Sequence, residues 1–221
     1  MTFQRARTEE QREARRRAIL DAASAMLDEM PVAAVTLNEL SRRAGLAKPN
    51  VVRYFESREA VLLELLDRFL REWLAELAGE LAAGVDRSRP MTERAAAVAE
   101  VLSRSLAGRV VLCELFGAQG SVLEHNVSVE VVTRYKRASL EHLATMTALV
   151  TEALPELREN AALFSLQTLV TAGAISAYTT PPPSLQAAYA AEPELARFHL
   201  GLGDYLKQSL IATFLGVLPR S

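Results

Sequence analysis

The 221-residue chain has one cysteine, Cys113, and few aromatic residues (6%). It also lacks any run of about 18 uninterrupted apolar residues, the length a membrane-spanning helix needs. Each shortage excludes something. One thiol cannot build an intrachain disulfide framework and suits a reducing cytoplasm, and without a long apolar run no membrane span is predicted. Met1 to Arg7 carries two arginines and no apolar core, so it reads as a disordered basic arm rather than a signal peptide or anchor. No alternating apolar–polar stretch of useful length announces a β-strand. Also missing are a nucleophile elbow, a phosphate loop, a dinucleotide fingerprint, a metal-ligand spacing and an internal repeat. His125, His142 and His199 lie far apart in sequence. An enzyme is therefore not expected, although Cys113 with a histidine remains a formal nucleophile pair, and no cofactor or metal is called for.

What is present is helical. Half the residues are apolar, alanine and leucine abound, and the prior is all-α, with one small and one medium domain. Charge is uneven: residues 1–58 hold 11 Lys+Arg against 8 Asp+Glu, a net of +3, and the remainder carries −5. The basic end is the natural nucleic-acid end.

That end contains TLNELSRRAGLAKPNVVRYFESR, Thr36 to Arg58. Thr36 followed by Glu39 is a capping box, in which each side chain would satisfy an orphan N–H of the other, starting a helix at Leu37. Leu37, Leu40 and Ala44 share one face. Gly45 ends the helix where the turn needs positive φ, Leu46 plugs the turn, and Pro49 fits the first turn of a second helix, Lys48 to Tyr54. A helix-turn-helix puts that second helix in the major groove. Lys48 and Arg53 can reach phosphates or guanine edges, Asn50 can pair bidentately with adenine, and Tyr54 can donate to a phosphate. Val51 packs on the core or meets a thymine methyl. The plain alternative is a solvated charged helix.

This stretch resembles the DNA-binding domain of the TetR (tetracycline repressor) family of bacterial regulators, through Thr36-Leu37, Ala44-Gly45-Leu46, Tyr54-Phe55 and Arg58. It departs from the commonest wording at Ala47, where a serine or threonine cap is usual, at Val52, where an aromatic is usual, and at Arg53, where histidine is frequent. The resemblance implies an all-α fold, with a three-helix DNA-binding domain at residues 1–57, a connecting helix at 58–84 and a helical effector-binding and dimerisation domain at 85–221. It also implies a homodimer whose binding to a double-stranded, palindromic operator is controlled by a small effector, most simply as a cytoplasmic repressor. The DNA-contacting residues implied are Arg15, Arg16, Thr36, Arg43, Lys48, Pro49, Asn50, Arg53, Tyr54 and Arg58. The Arg15–Arg17 run reads equally as a solvated face.

Elsewhere, Thr8 and Gln11 form a second capping-box pattern, opening a helix that stops at Met30-Pro31. Ser57 caps a long helix from Arg58, whose cation opposes the helix dipole unless it has a partner such as phosphate. Residues 84–90, GVDRSRP, form the candidate boundary. Further helices are predicted at 91–107, 109–118, 123–154, 156–178 and 194–216. The last two are apolar over more than one face. Phe164, Leu169, Ile175, Phe198, Leu202, Tyr205, Leu206 and Ile211 are the expected dimer interface. The family implies a pocket, for which Leu102, Leu106, Leu112, Cys113, Phe116, His125, Asn126, Val127, Val131, Tyr135 and Gln167 are candidates. Two other classes remain: a helical protein-interaction module with a basic surface helix and no DNA target, and a small helical enzyme. Retention by duplex DNA, lost with rising salt, separates them.

Overall fold

The computed structural model describes residues 2–179, 181–198 and 201–218; side chains are described from Glu10 onward, Phe198 excepted. The side chains of the basic arm and of Phe198 therefore lie outside the described residues.

Ten α-helices run in chain order among these residues: α1 Thr2–Leu27, α2 Leu37–Arg43, α3 Lys48–Val52, α4 Arg58–Gly84, α5 Met91–Ala107, α6 Val110–Ala118, α7 Val129–Ala153, α8 Ala161–Thr179, α9 Pro183–Ala191 and α10 Leu202–Val217. The fold is all-α, as predicted.

The start of α1 is a correction: the helix already runs at Thr2, so Thr8 opens nothing and the arm forms part of the helix backbone. α1, α2 and α4 close around Ile19, Ala23, Met26, Leu40, Val51 and Leu62, all but sealed from solvent. This small core has the shape-determining role that side-chain periodicity assigned it. α4 begins as predicted, the Ser57 hydroxyl accepting from Ala60 N at 3.1 Å. It then leaves the helix-turn-helix end and becomes the spine of the second half, packing on α5, α6 and α7. There Trp73 is buried (1% exposed), with its indole N–H donating to Ser105 Oγ at 3.0 Å, the partner a buried indole requires. Arg109 reinforces the same joint, donating to Ser105 O at 2.7 Å and pairing with Glu76 on α4.

Three predicted helices are interrupted. The 123–154 segment is in fact a π-turn at Gln119–Leu123, an exposed loop, and α7 with Ser128 as its cap, accepting from Val131 N at 3.3 Å. The His-Asn-Val-Ser run beside Gly120-Ser121 was the available signal. The 156–178 segment opens as a 3-10 turn, Pro155–Asn160, containing Arg158 at φ 49°, before α8 starts. The 194–216 segment is a 3-10 turn, Pro193–Phe198, followed by a separate α10, and α9 precedes it unpredicted.

α8 is the hub, in contact with α6, α7 and α10. It meets α6 at Gly117 and Gly173 so closely that a Cβ on Gly173 would stand 2.8 Å from Gly117 N, and one on Gly117 2.6 Å from Gly173 O. Only two glycines allow backbones to touch like this. On its other flank Phe164 stacks on Phe214 of α10, ring centroids 4.4 Å apart.

Candidate nucleic-acid interface

α2 is capped at Thr36, whose Oγ1 accepts from Glu39 N at 3.2 Å. Only this half of the capping box forms. The Glu39 carboxylate instead takes hydrogen bonds from Arg42 and from Arg43 Nε (2.9 Å), which lower its pKa from 4.5 to about 2. Gly45 adopts φ +65°, the left-handed turn for which the sequence reserved it. α3 then carries Pro49 in its first turn and no side-chain cap at Ala47.

Around that turn the cations divide into two groups. Arg43 is committed to Glu29 (2.7 Å) as well as Glu39. Arg58 donates to Val35 O (3.0 Å) and Ala33 O (3.3 Å) and pairs with Glu59. It ties α4 to the 3-10 turn at Val32–Ala34, so the partner its position demanded is a set of chain carbonyls. Arg16 donates to Tyr54 O at 2.8 Å, pairs with Glu64 and lies 4.4 Å over the Phe55 ring. All three are expected at phosphates; in this structure each guanidinium is held by acceptors on neighbouring elements, as an internal strut would be.

The second group is free. α3 ends at Val52, two residues short of the predicted Tyr54; Lys48, Pro49 and Asn50 on it and Arg53 at its C-terminal cap are exposed, and among the described residues the Lys48, Asn50 and Arg53 side chains have no hydrogen-bond or ionic partner. Arg15 and Thr36 are also exposed, and Tyr54 is half-buried. Val51 is fully buried, which assigns it to the core, whereas Val52 is 44% exposed beside Lys48 and Arg53. Sequence reasoning missed Val52 as a contact candidate. The alternation of a sealed Val51 with a bare Val52 shows only once the helix is placed.

Charge and donors therefore converge on one short exposed ridge, whose chemistry suits phosphate oxygens and base edges. A contact that sequence did not foresee links this end to the second half: the Glu56 carboxylate accepts from Ser128 N, at the positive end of α7.

The expected pocket residues scatter. Leu102, Leu106 and Cys113 are core, and burial pushes the Cys113 thiol up to about 12, which leaves it no nucleophile at neutral pH. His125 and Asn126 lie exposed in the loop before α7, Gln167 lies on the outer face of α8, and Val127 is half-buried against the core. Leu112 borders a cavity of about 670 Å³ below the end of α1, and Val131 and Tyr135 border one of about 540 Å³ between α1, α4 and α7. Phe116 alone of the expected set reaches a largely apolar cavity, about 650 Å³ between α4, α6, α7 and α8, where Leu70, Leu143, Leu169 and Val170 form walls and Lys136 and His142 the polar corner. Helix periodicity marked these residues as inward-facing but could not separate wall from core.

The expected dimer residues need the same correction. Phe164, Leu169, Ile175, Leu202 and Leu206 are spent inside the subunit, and Ile211 is half-buried. The apolar side chains left bare are Leu163, Leu166, Val170 and Tyr178 on α8, with Tyr205 and Leu215 on α10. Tyr205 alone of the expected set stands on that surface. An 18-residue window within α8 and its lead-in turn (Pro155–Thr179) has a mean hydropathy of 1.3, apolar and long enough for a membrane span, yet half of that window is buried in the subunit.

Comparison with known proteins agrees with this geometry. A family model described as bacterial regulatory proteins, tetR family, matches residues 19–65, and one described as tetracyclin repressor-like, C-terminal domain, matches residues 67–221. The transcriptional regulator EthR of Mycobacterium tuberculosis (strain ATCC 25618 / H37Rv) is 42% identical over 55 residues, 25% of this chain and 26% of that protein. EthR of Mycolicibacterium smegmatis is 37% identical over 57 residues, 26% of each chain. The matched region thus spans about a quarter of these relatives. Among solved structures, the regulator FadR of Bacillus subtilis in complex with stearoyl-CoA aligns over 91% of this chain and 98% of its own, with a TM-score of 0.52 and 14% identity. FadR of Bacillus halodurans aligns over 94% and 97%, also at 0.52 and 14%. At that identity the likeness is one of fold.

Proposed function

This chain belongs to the TetR family of bacterial regulatory proteins, and on that premise we propose that it is a cytoplasmic, homodimeric repressor that binds a palindromic operator and is released by a small, largely apolar molecule. One observation carries the reading: α3 offers Lys48, Asn50, Val52 and Arg53 to solvent without protein partners, on a turn braced by arginines that are all committed internally. Here the pairing stops where the groove would begin. Arg15, Thr36, Pro49 and Tyr54 border that ridge as backbone contacts.

The bare apolar strip on α8 and α10 supports the dimer. Leu163, Leu166 and Val170 recur at helical spacing on a face left bare among the described residues, and a two-fold pairing there would hold two α3 helices for half-sites about 34–36 Å apart. The cavity between α4, α6, α7 and α8 is the proposed effector site, apolar with one polar corner. From that corner His142 Nε2 reaches Asp67 of α4 at 2.7 Å. One turn earlier on α4, Glu64 holds Arg16, which holds Tyr54 O behind α3. A ligand that reseats His142 therefore acts on the helix that positions the DNA-binding end, with a coupling of about 1–3 kcal/mol typical of such linkage.

The test is selection of genomic fragments by the purified protein, followed by sequencing. An inverted repeat is expected, with retention lost in the double variant Asn50→Ala, Arg53→Ala. A Leu163→Glu, Tyr205→Glu variant, at bare positions outside the proposed effector cavity, should elute as a monomer and bind weakly. Fragments recovered without any shared sequence, or unchanged by the α3 variant, would remove the proposal.

A further inference from the structure

The cleft of about 540 Å³ between α1, α4 and α7 shares Arg16, Glu64 and Asp67 with the coupling route above, but no ligand has been assigned to it. Among the described residues, two buried side-chain polar atoms lack any hydrogen-bond partner, Arg68 Nε and Tyr135 Oη, and both residues line this one cleft. Tyr135 is only 6% exposed. Burial raises the pKa of its phenol, so the hydroxyl keeps its proton and can donate. Arg68 Nε sits 3.9 Å from Glu72, beyond hydrogen-bond reach. Buried polar groups are nearly always satisfied, and two orphans on residues that line one cleft point to a partner that the chain does not supply.

The partner's chemistry follows from what remains unspent. Of the acceptors in the cleft, Glu64 is held by Arg16, Asp67 by Arg71 and His142, and Asp21 by Arg68; Glu13 stands exposed at the rim. The unspent donors are more numerous. Arg17 on α1 and Arg134 on α7 line the cleft, both exposed and neither paired among the described residues. With the Tyr135 hydroxyl and Arg68 Nε they form a set rich in donors and drawn from three helices, complementary to the several acceptor oxygens of an oxyanion.

We propose that this cleft is a binding site for a small polyvalent oxyanion, phosphoryl or carboxylate, gripped by Arg17, Arg68, Arg134 and Tyr135. Because Arg17 belongs to the DNA-binding end and Arg134 and Tyr135 to the second half, the bound anion bridges the two.

The experiment follows the melting temperature of the intact, DNA-free protein, with sodium chloride replaced at constant ionic strength by pyrophosphate in one series and citrate in another. Wild type should show a saturable rise with at least one of them, and the stronger of the two identifies phosphoryl or carboxylate. Arg17→Ala with Arg134→Ala should weaken the apparent affinity about tenfold or more, as expected for loss of even one charge-assisted contact. Tyr135→Phe should weaken it too, without lowering the melting temperature of the anion-free protein. A rise that is absent, unsaturable or identical in the variants would overturn the site. So would arginine variants that keep the thermal response but flatten the salt dependence of DNA binding, since their counter-ion would then be DNA. Neither result bears on whether α3 reads an operator.

Discussion

Replacing Arg16 with alanine separates two roles that sequence left equal, phosphate contact and internal strut. The structure commits its guanidinium to three partners: Tyr54 O at 2.8 Å, the Glu64 carboxylate, and the Phe55 ring at 4.4 Å. A hydrogen bond from a charged donor is worth about 1.5–3 kcal/mol and a partly exposed cation–π contact about 0.5–1. Both carboxylate and guanidinium remain about a quarter exposed, so the ion pair adds less than about 1 kcal/mol. Not all of this is lost independently, and a destabilisation of about 2–3 kcal/mol is expected in urea titrations. The salt dependence of DNA binding should not change, because no phosphate loses its partner. Lys48→Ala is the mirror image: it touches no protein group, so stability should hold while the slope of log K against log [salt] falls by about 0.9 per lysine, or about 1.8 for a dimer. The assay pairs urea unfolding with DNA-binding titrations at several salt concentrations. Should Arg16→Ala flatten the salt slope by about one unit per subunit and leave the urea midpoint alone, the division of cations into struts and contacts is wrong.

Three further expectations are independent of DNA. Arg42 and Arg43 hold the Glu39 carboxyl at about 2 against its usual 4.5, so its contribution is complete above pH 4.5 and lost as the pH falls through 2. Glu39→Gln should melt below wild type at neutral pH, by a margin that shrinks to nothing between those two values; a margin independent of pH would refute the assignment. Gly173→Ala must part α6 from α8, since its Cβ would meet Gly117 N at 2.8 Å, and should cost at least about 1–3 kcal/mol in equilibrium unfolding; a neutral effect would show that the crossing is looser than described. Cys113, 1% exposed and with its thiol pushed up to about 12, should resist a thiol reagent at pH near 8 in the folded protein and react at once in urea, whereas rapid native-state labelling would contradict its burial.

Local chemistry was legible wherever a few adjacent residues fix the backbone. Thr36, Gly45, Pro49 and Ser57 each act within a turn or two, and the boundaries of α2, the left-handed turn, the first turn of α3 and the start of α4 follow from them. The breaks before α7 and α8 escaped notice because apolar residues resume at helical spacing on either side of each short polar stretch, 124–128 and 155–160.

The linear order of residues determined the helical class, the helix-turn-helix and the cationic character of its second helix, because those rest on spacing and on side-chain types. Three-dimensional packing decided which arginines are free, which apolar faces are spent and which cavity is open. A guanidinium at position 16 or 58 is consumed by acceptors 38 and 23 residues away, and α8 buries Phe164 while baring Leu163 according to where α6, α7 and α10 lie. Partners so far apart along the chain are brought together only by the fold, and the availability of a charge or an apolar face is a property of what surrounds it.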